Sequence, residues 1–384
     1  MDTNDAGHTL KNAPMKHDRS KRSASLRVLA VGMGHMGISH AQAITRIDGF
    51  ELVGICSRSV LTTDLPSELA SAARFNDFDE ALTALKPEAV IISTYPDTHA
   101  EFAIKAMRAG AHVFVEKPMA RSVEEAQHMV QVARETQRTL YIGYILRVHP
   151  SWRELIRRGK ELGKPLVMRM NINQQSIGDS WTWHKNLMKS LPPVVDCGVH
   201  YIDVMCELTG AKPVRVHGIG ARLSDEIAED QYNYGQLQVT FDDGSIGWYE
   251  VGWGPMMSEV AYFVKDVVGP KGAVSITMSE QGDAAGEGAW TTASSDILNH
   301  VKTSALRVHH SELNPDNSLK HADEIIRMAN EPDHDALCEL EQRAFLDAIR
   351  SGAVDRPDLD AAVDSLRVVL AADQSIRTRR HIDL

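Results

Sequence analysis

The sequence predicts two architectures in succession: a doubly wound parallel α/β sheet over residues 26–148, then an α+β region over 149–384, an open and largely antiparallel sheet with helices on one face. Three observations carry this expectation. From Leu26 to Ile142, short β-branched runs alternate with amphipathic segments of helical period, as consecutive βαβ units do. A glycine-rich turn, Gly32-Met33-Gly34-His35-Met36-Gly37, joins the first strand to the first helix. Beyond Pro150 the alternation gives way to β runs separated by turn residues.

In the first region strands are expected over residues 27–31, 51–56, 89–93, 112–116 and 140–143, with helices over 35–47, 98–109 and 123–136. Asp97 and Ser122 stand where the last two helices need an N-cap. The second region reads as a helix over 152–161, a strand over 165–172, a tryptophan-rich loop and a helix over 195–208. Five β runs follow, over 214–221, 232–241, 245–252, 261–268 and 272–277, with Asp242-Asp243-Gly244 as a hairpin turn. Residues 278–332 are polar and poorly periodic and carry no assignment. Two amphipathic helices, 336–350 and 359–376, close the chain and are expected to pack back on the first domain.

Composition narrows the function. With 384 residues, 43% apolar and 24% charged, this is a globular chain, and no apolar run approaches the roughly 20 residues that cross a bilayer, so no membrane partner is expected. Residues 1–25 are polar and mixed in charge, a disordered tail without the apolar middle of a secretory signal; Asp2, Asp5 and Asp18 speak against a mitochondrial peptide. A net charge of −11 argues against a nucleic-acid partner, since phosphate backbones are held by a surplus of Lys and Arg. Cys56, Cys197, Cys206 and Cys338 show no Cys-x-x-Cys pair or regular spacing, so neither a metal site nor a disulfide framework is indicated, and a cytoplasmic location fits.

The glycines follow the apolar strand Val28-Leu29-Ala30-Val31 and open a helix, the context of the Rossmann dinucleotide fingerprint. Gly32 permits the tight turn, Gly34 lets backbone approach a pyrophosphate and Gly37 lets helix and strand pack closely. Met33, His35 and Met36 complete the loop, whose free N–H groups would face the phosphates. About 20 residues on, where an acid would hold the ribose 2′-hydroxyl, the chain has Ser57-Arg58. A hydroxyl and a guanidinium suit a 2′-phosphate, which favours NADP(H) over NAD(H); the alternative is a solvated loop arginine.

Glu116-Lys117-Pro118 ends an apolar strand, and the carboxyl ends of parallel strands are where such sheets bind ligands. Far downstream, Asp196 and His200 stand four apart, one turn from each other on a helix face that Asp203 extends. Such a polar stripe on an apolar helix needs partners, and a hydroxylated substrate is one; a satisfied core pair is the other reading. No further His/Asp/Cys cluster accompanies the pair, so no metal is expected.

These motifs, with Ser93-Thr94-Tyr95-Pro96-Asp97-Thr98-His99 and Asp196-Cys197-Gly198-Val199-His200, resemble the Gfo/Idh/MocA family of dehydrogenases over residues 26–278 and again in the closing helices. The resemblance implies a two-domain subunit whose C-terminal sheet builds a homo-oligomer, a dimer or tetramer. It also implies that Lys117, Asp196 and His200 line the site where nicotinamide meets substrate. His200 would be the general acid/base, Asp196 would orient it or bind a neighbouring hydroxyl, and Lys117 would polarise the reacting oxygen. Thr94, His99 and Glu116 join the cofactor contacts, although a helix-start role for His99 and a structural one for Glu116 are equally open. The Lys117-Pro118 peptide is a candidate for the cis form.

Arg147, Trp183 and His184, with Trp181 and His149, are candidates for the substrate pocket; packing or surface roles are the competing reading. Ser190-Leu191-Pro192-Pro193 replaces the family's glycine-rich stretch before Asp196, so the pocket wall should differ. None of the eight tyrosines has a lysine four residues later, against a short-chain Tyr/Lys mechanism. The expected function is NAD(P)-dependent hydride transfer with a secondary alcohol or ketone of a sugar, cyclitol or related polyol. The rivals are nicotinamide-dependent glycoside cleavage, as in some relatives, and a non-catalytic cofactor sensor, which would not need Lys117, Asp196 and His200 together.

Overall fold

Strand β1 (Leu26–Val31) enters the middle of a six-stranded, wholly parallel sheet with β2 (Phe50–Cys56), β3 (Ala73–Phe75), β4 (Ala89–Ile92), β5 (His112–Glu116) and β6 (Leu140–Gly143), in the order β3-β2-β1-β4-β5-β6. The computed structural model describes residues 25–62, 64–258, 264–277, 303, 305–329 and 331–384; the expected N-terminal tail, apart from Ser25, lies outside them. Helices α1 (His35–Arg46), α2 (Phe78–Leu85), α3 (Pro96–Arg108) and α4 (Val123–Thr136) cover the sheet. Because β1 lies beside β4, the chain reverses its winding between them, and a crevice opens at their carboxyl ends.

Ser122 caps α4, accepting from the Glu125 N–H at 3.2 Å. Asp97 does not cap α3: Pro96 already occupies the first turn, where its missing N–H costs nothing, and Tyr95 holds the cap position. The sequence reading left β3 and α2 unassigned, although Asp77 accepts from the Glu80 N–H at 2.8 Å, a capping signal visible in the residues themselves.

The second sheet has nine strands, ordered β14-β13-β12-β11-β7-β10-β9-β8-β15. These are β7 (Val167–Gln175), β8 (Pro213–Ala221), β9 (Tyr234–Phe241), β10 (Ile246–Gly254), β11 (Lys265–Gly269), β12 (Gly272–Thr277), β13 (Ala305–His310), β14 (Glu324–Arg327) and β15 (Ile382–Asp383). Every pairing is antiparallel except β7 with β10, where Val167 meets Ile246 and Gln175 meets Gly254. Gly244, at φ +82°, makes the expected β9–β10 turn. Helices α5 (Pro150–Glu161), α7 (Pro193–Asp196), α8 (Gly198–Thr209) and α10 (Pro357–Thr378) pack on one face. Gly235, Leu237, Val239 and Phe241 of β9 turn inward, while Gln238 and Thr240 are exposed on the other face.

Four expectations change. Residues 305–310 and 324–327, inside the unassigned polar stretch, are strands at the sheet edge; their alternation is too short and too polar to stand out. Residues 261–263 of one expected β run lie outside the described residues, and the strand there begins at Lys265. The tryptophan-rich loop is helix α6 (Gly178–Leu187), entered through Gly178 at φ +55°. The helix expected over 195–208 is two, α7 and α8, meeting at Cys197.

The last long helices return to both sheets. Phe345 and Leu346 of α9 (His334–Ser351) are buried with Ile44, Phe50, Phe114 and Tyr141 of the first sheet's core. Each such side chain contributes on the order of 1.5–3 kcal/mol by burial. Beneath the second sheet's helices, Lys265 is 2% exposed; its Nζ donates to the Asn171 carbonyl and lies 5.1 Å from the centre of the Tyr201 ring. No described helix is long and apolar enough to cross a membrane.

Candidate active site

A cavity of about 770 Å³ runs from the carboxyl ends of β1, β2 and β4 to the helices over the second sheet. Its first part is built by the glycine loop. Gly32, at φ +89°, lies so close to the next loop that a Cβ there would stand 2.5 Å from the Ser93 carbonyl oxygen. A Cβ on Gly37 would stand 1.7 Å from the Gly32 carbonyl oxygen, so only glycine lets α1 start there. Gly34 differs: a Cβ on it would meet nothing within 4 Å, because Gly34 faces the cavity. Helix α1 has no side-chain cap and no acid in its first turn, leaving its opening N–H groups and positive dipole end to the cavity. Met33, His35 and Met36 line the same wall, as do Ser57, Arg58 and Thr94, whose Oγ1 lies 2.7 Å from that of Thr98. Asn76, Phe78 and Phe102, which the sequence reading missed, complete this end.

Lys117, Asp196 and His200 meet farther along. Strand β5 ends at Glu116, and the Lys117-Pro118 peptide that follows is cis. Lys117 Nζ donates to Asp196 Oδ1 at 3.0 Å and to the Asp196 carbonyl at 3.4 Å, joining the two sheets' units across the cavity floor. Burial alone would lower the lysine pKa, but the Asp196 carboxylate, with Cys197 and Glu116, outweighs it and holds Lys117 above its ordinary value. His200, in the first turn of α8, is 7% exposed and meets the Tyr144 ring edge-on at 5.8 Å; the Tyr144 hydroxyl lies 2.9 Å from Ser365 Oγ. The Asp196–His200 spacing thus spans two helices that meet at Cys197, and both residues still line the cavity.

Glu116 braces the lysine from behind. One carboxylate oxygen lies 2.8 Å from His40 Nε2 and the other accepts the Lys117 N–H at 3.1 Å. Burial pushes Glu116 up, yet His40 and Lys117 pull it further down, below the usual carboxylate range. His99 does not line the cavity: its ring bridges the Thr94 and Pro118 carbonyls at 3.0 and 2.9 Å, tying together the loops after β4 and β5. Arg147 is also absent from the cavity wall. Its guanidinium is spent on Asp203, at 2.6 and 2.8 Å, and on Asp358, at 3.0 Å. Asp203, expected to extend the Asp196–His200 stripe, therefore turns toward Arg147 instead.

Trp183 and His184 line the substrate end, on helix α6. Trp181 is buried with its Nε1 donating to Glu226 at 3.2 Å, and His149 caps α5. Glu341 of α9 also borders the cavity; it is 1% exposed and neither carboxyl oxygen has a hydrogen-bond partner among the described residues. Burial first, and the charge of Glu116 second, push its pKa well above the ordinary carboxyl value. No sequence signal singled it out, since a glutamate on an amphipathic helix reads as solvated. With His40 and Cys338 it forms the one grouping of three potential metal ligands among the described residues. His40 already engages both ring nitrogens, with Glu116 and with Gln342 at 3.0 Å.

An uncapped helix terminus at the switch point of a parallel sheet, with a lysine and a histidine from separate units farther along the same cavity, marks the class of dinucleotide-binding enzymes. The family models agree. One described as an oxidoreductase family with NAD-binding Rossmann fold matches residues 26–144, and its C-terminal α/β domain partner matches residues 153–384. The chain belongs to the Gfo/Idh/MocA oxidoreductase family. It is similar to scyllo-inositol 2-dehydrogenase (NAD(+)) of Bacillus subtilis strain 168, 26% identical over 94% of this chain and 96% of that protein. It is also similar to UDP-N-acetylglucosamine 3-dehydrogenase of Acidithiobacillus ferrooxidans, 29% identical over 58% of this chain and 65% of that one. The solved scyllo-inositol dehydrogenase of Lactobacillus casei, with NAD(H) and scyllo-inositol bound, shares the fold at a TM-score of 0.68 and 19% identity, covering 94% of this chain and 99% of that one.

Proposed function

We propose that this protein transfers a hydride between a nicotinamide cofactor and a secondary alcohol or ketone of a sugar, cyclitol or related polyol. The observation that carries the reading is the Lys117–Asp196 pair, 3.0 Å apart, standing with His200 in the cavity that begins at the glycine loop. The open face of Gly34 and the uncapped start of α1 fit a dinucleotide pyrophosphate. When bound, the cofactor supplies the hydride acceptor or donor. The chain's own residues supply the rest. Lys117 Nζ, kept charged by Asp196, donates to the reacting oxygen and favours negative charge developing there. His200 takes the hydroxyl proton in oxidation and returns it in reduction, and Asp196 orients the lysine. Glu116 and His40 hold the lysine's backbone in place.

At the other end, Ser57 and Arg58 line the cavity just past β2, where a ribose 2′-substituent would lie, and this supports NADP(H) over NAD(H). Val167 and Ile246, exposed partners of the one parallel pair, support a homo-oligomer built on the outer face of the second sheet. All four cysteines are buried and unpaired, as suits a reducing compartment such as the cytoplasm.

The experiment is a screen of inositols, aldoses and uronates with both cofactors, following absorbance of the reduced nicotinamide, for wild type, Lys117→Ala and Arg58→Ala. Lys117→Ala should lower turnover by roughly 10²–10⁴-fold while the cofactor still binds. Arg58→Ala should weaken NADP(H) and leave NAD(H) little changed. Near wild-type turnover without Lys117 would refute the mechanism. Sugar release without net cofactor reduction would replace dehydrogenation by glycoside cleavage.

A further inference from the structure

Helix α6 turns one face to the substrate half of the cavity. Asp179, Ser180, Trp183 and His184, at positions i, i+1, i+4 and i+5, all line it. Trp183 keeps 43% of its surface exposed there, a flat apolar plate at the cavity wall. It leans on His184 at 5.1 Å, and His184 stacks on Trp253 at 4.2 Å and 10°. The indole thus meets a ring that is itself stacked on Trp253. His184 itself is 1% exposed, and its Nδ1 has no hydrogen-bond partner among the described residues. Burial outweighs the opposing pull of Asp196 and takes its pKa down to about 4, so this ring is a neutral hydrogen-bonding group rather than a cation.

The charges around the plate are one-sided. Among the described lysines and arginines that line the cavity, Arg58 stands at the far, cofactor end and Lys117 is matched by Asp196. Glu116 is matched by His40. Asp179 is exposed and has no ion pair among the described residues; Glu341, also unpartnered among them, is buried and its pKa is pushed well above the ordinary carboxyl value, which leaves Asp179 as the exposed carboxylate on the α6 side of the cavity. An anionic substrate group would meet that carboxylate and, among the described residues, no free cation. An ammonium group would meet a partner.

We infer that the α6 face is a subsite for a ring bearing an amino group: Trp183 packs on the C–H face of the ring and Asp179 pairs with its ammonium, so the substrate is an aminocyclitol or amino sugar. This rests on the polyol-dehydrogenase reading above, and the indole's role has the physics of ring stacking on an aromatic face.

The test compares matched substrates on the purified full chain: scyllo-inosamine with scyllo-inositol, D-glucosamine with D-glucose, and D-glucuronate as the anion. In wild type the amino member should exceed its neutral counterpart in kcat/KM by roughly 10–100-fold, the range of a hydrogen bond to a charged group. Asp179→Asn should bring that ratio near one, and Asp179→Lys should turn preference toward glucuronate. Trp183→Ala should raise KM for the amino substrates with kcat little changed. Asp179 is exposed at the start of its helix, and matching circular dichroism spectra would show that the variants fold. Equal kcat/KM for amino and neutral members in wild type, or an unchanged ratio in Asp179→Asn, would overturn the subsite and leave the dehydrogenase standing. No cofactor reduction with any of these substrates would overturn both.

Discussion

Replacing Lys265 by methionine should stabilise the protein, by an amount that falls as pH rises. Burial lowers the Lys265 pKa to about 7, against an ordinary value near 10.4. At about 1.4 kcal/mol per unit, holding this lysine charged in the folded state costs on the order of 4–5 kcal/mol at pH 6, where folded and unfolded chains are both protonated. Methionine fills a similar volume without a charge and forfeits the bond from Nζ to the Asn171 carbonyl, worth about 1 kcal/mol. The net gain at pH 6 is therefore about 3 kcal/mol. The sign follows from proton uptake: from about pH 7 to 10.4 the unfolded wild type holds a proton that the folded form has released, so wild-type stability climbs with pH. The variant lacks this climb of about 2.7 kcal/mol, and its advantage should all but vanish by pH 9. Urea unfolding of both proteins at pH 6, 7, 8 and 9, at equal protein concentration, measures the difference directly. An advantage that does not change with pH, or a variant less stable at pH 6, would refute a depressed lysine pKa as the cause.

Three other outcomes follow from the geometry. Gly37→Ala forces a Cβ to within 1.7 Å of the Gly32 carbonyl oxygen, so the loop must shift at a cost of about 1–3 kcal/mol; titration of reduced-cofactor fluorescence should show affinity weakened roughly 5–100-fold. Glu341→Gln should be within about 1 kcal/mol of wild type at pH 5. Because the folded pKa of Glu341 is raised, wild type loses stability as pH climbs from the ordinary carboxyl value through the raised one, so the amide variant should be the more stable at pH 8; thermal unfolding across that window shows whether the curves diverge. Arg147→Met strands the buried Asp203 carboxylate and should cost about 3–5 kcal/mol in urea unfolding, with part of the loss returned by adding Asp203→Asn.

The sequence was most legible where local chemistry and long-range packing agree. The strand–Gly-x-Gly-x-x-Gly–helix order was readable because its demands are local: Gly32 and Gly34 line the start of the cavity, and Gly37 packs against the Gly32 carbonyl behind it. The Glu116-Lys117 ending of β5 and the Asp196–His200 spacing reached one cavity although the first belongs to the parallel sheet and the second to helices over the other sheet. Arg147 and His99 show the limit: a cation and an imidazole near the right motifs turned to Asp203 and to two backbone carbonyls, partners that only the tertiary fold brings close. Helix α6 was missed because Trp, Thr, His and Asn give weak helical preference and no clear apolar stripe. Glu341 was invisible since burial of one turn of α9 against β6 depends on the closing of the whole chain.

That closing has its own consequence for how the protein is made. The core that joins Ile44, Phe50, Phe114 and Tyr141 is completed by Phe345 and Leu346, some 200 residues beyond the last strand of the parallel sheet. During synthesis the nucleotide-binding unit emerges first, with an apolar face that stays uncovered until α9 has left the ribosome. A fragment cut after β6 would carry the same bare face. A unit made well before α9 is thus finished only after it.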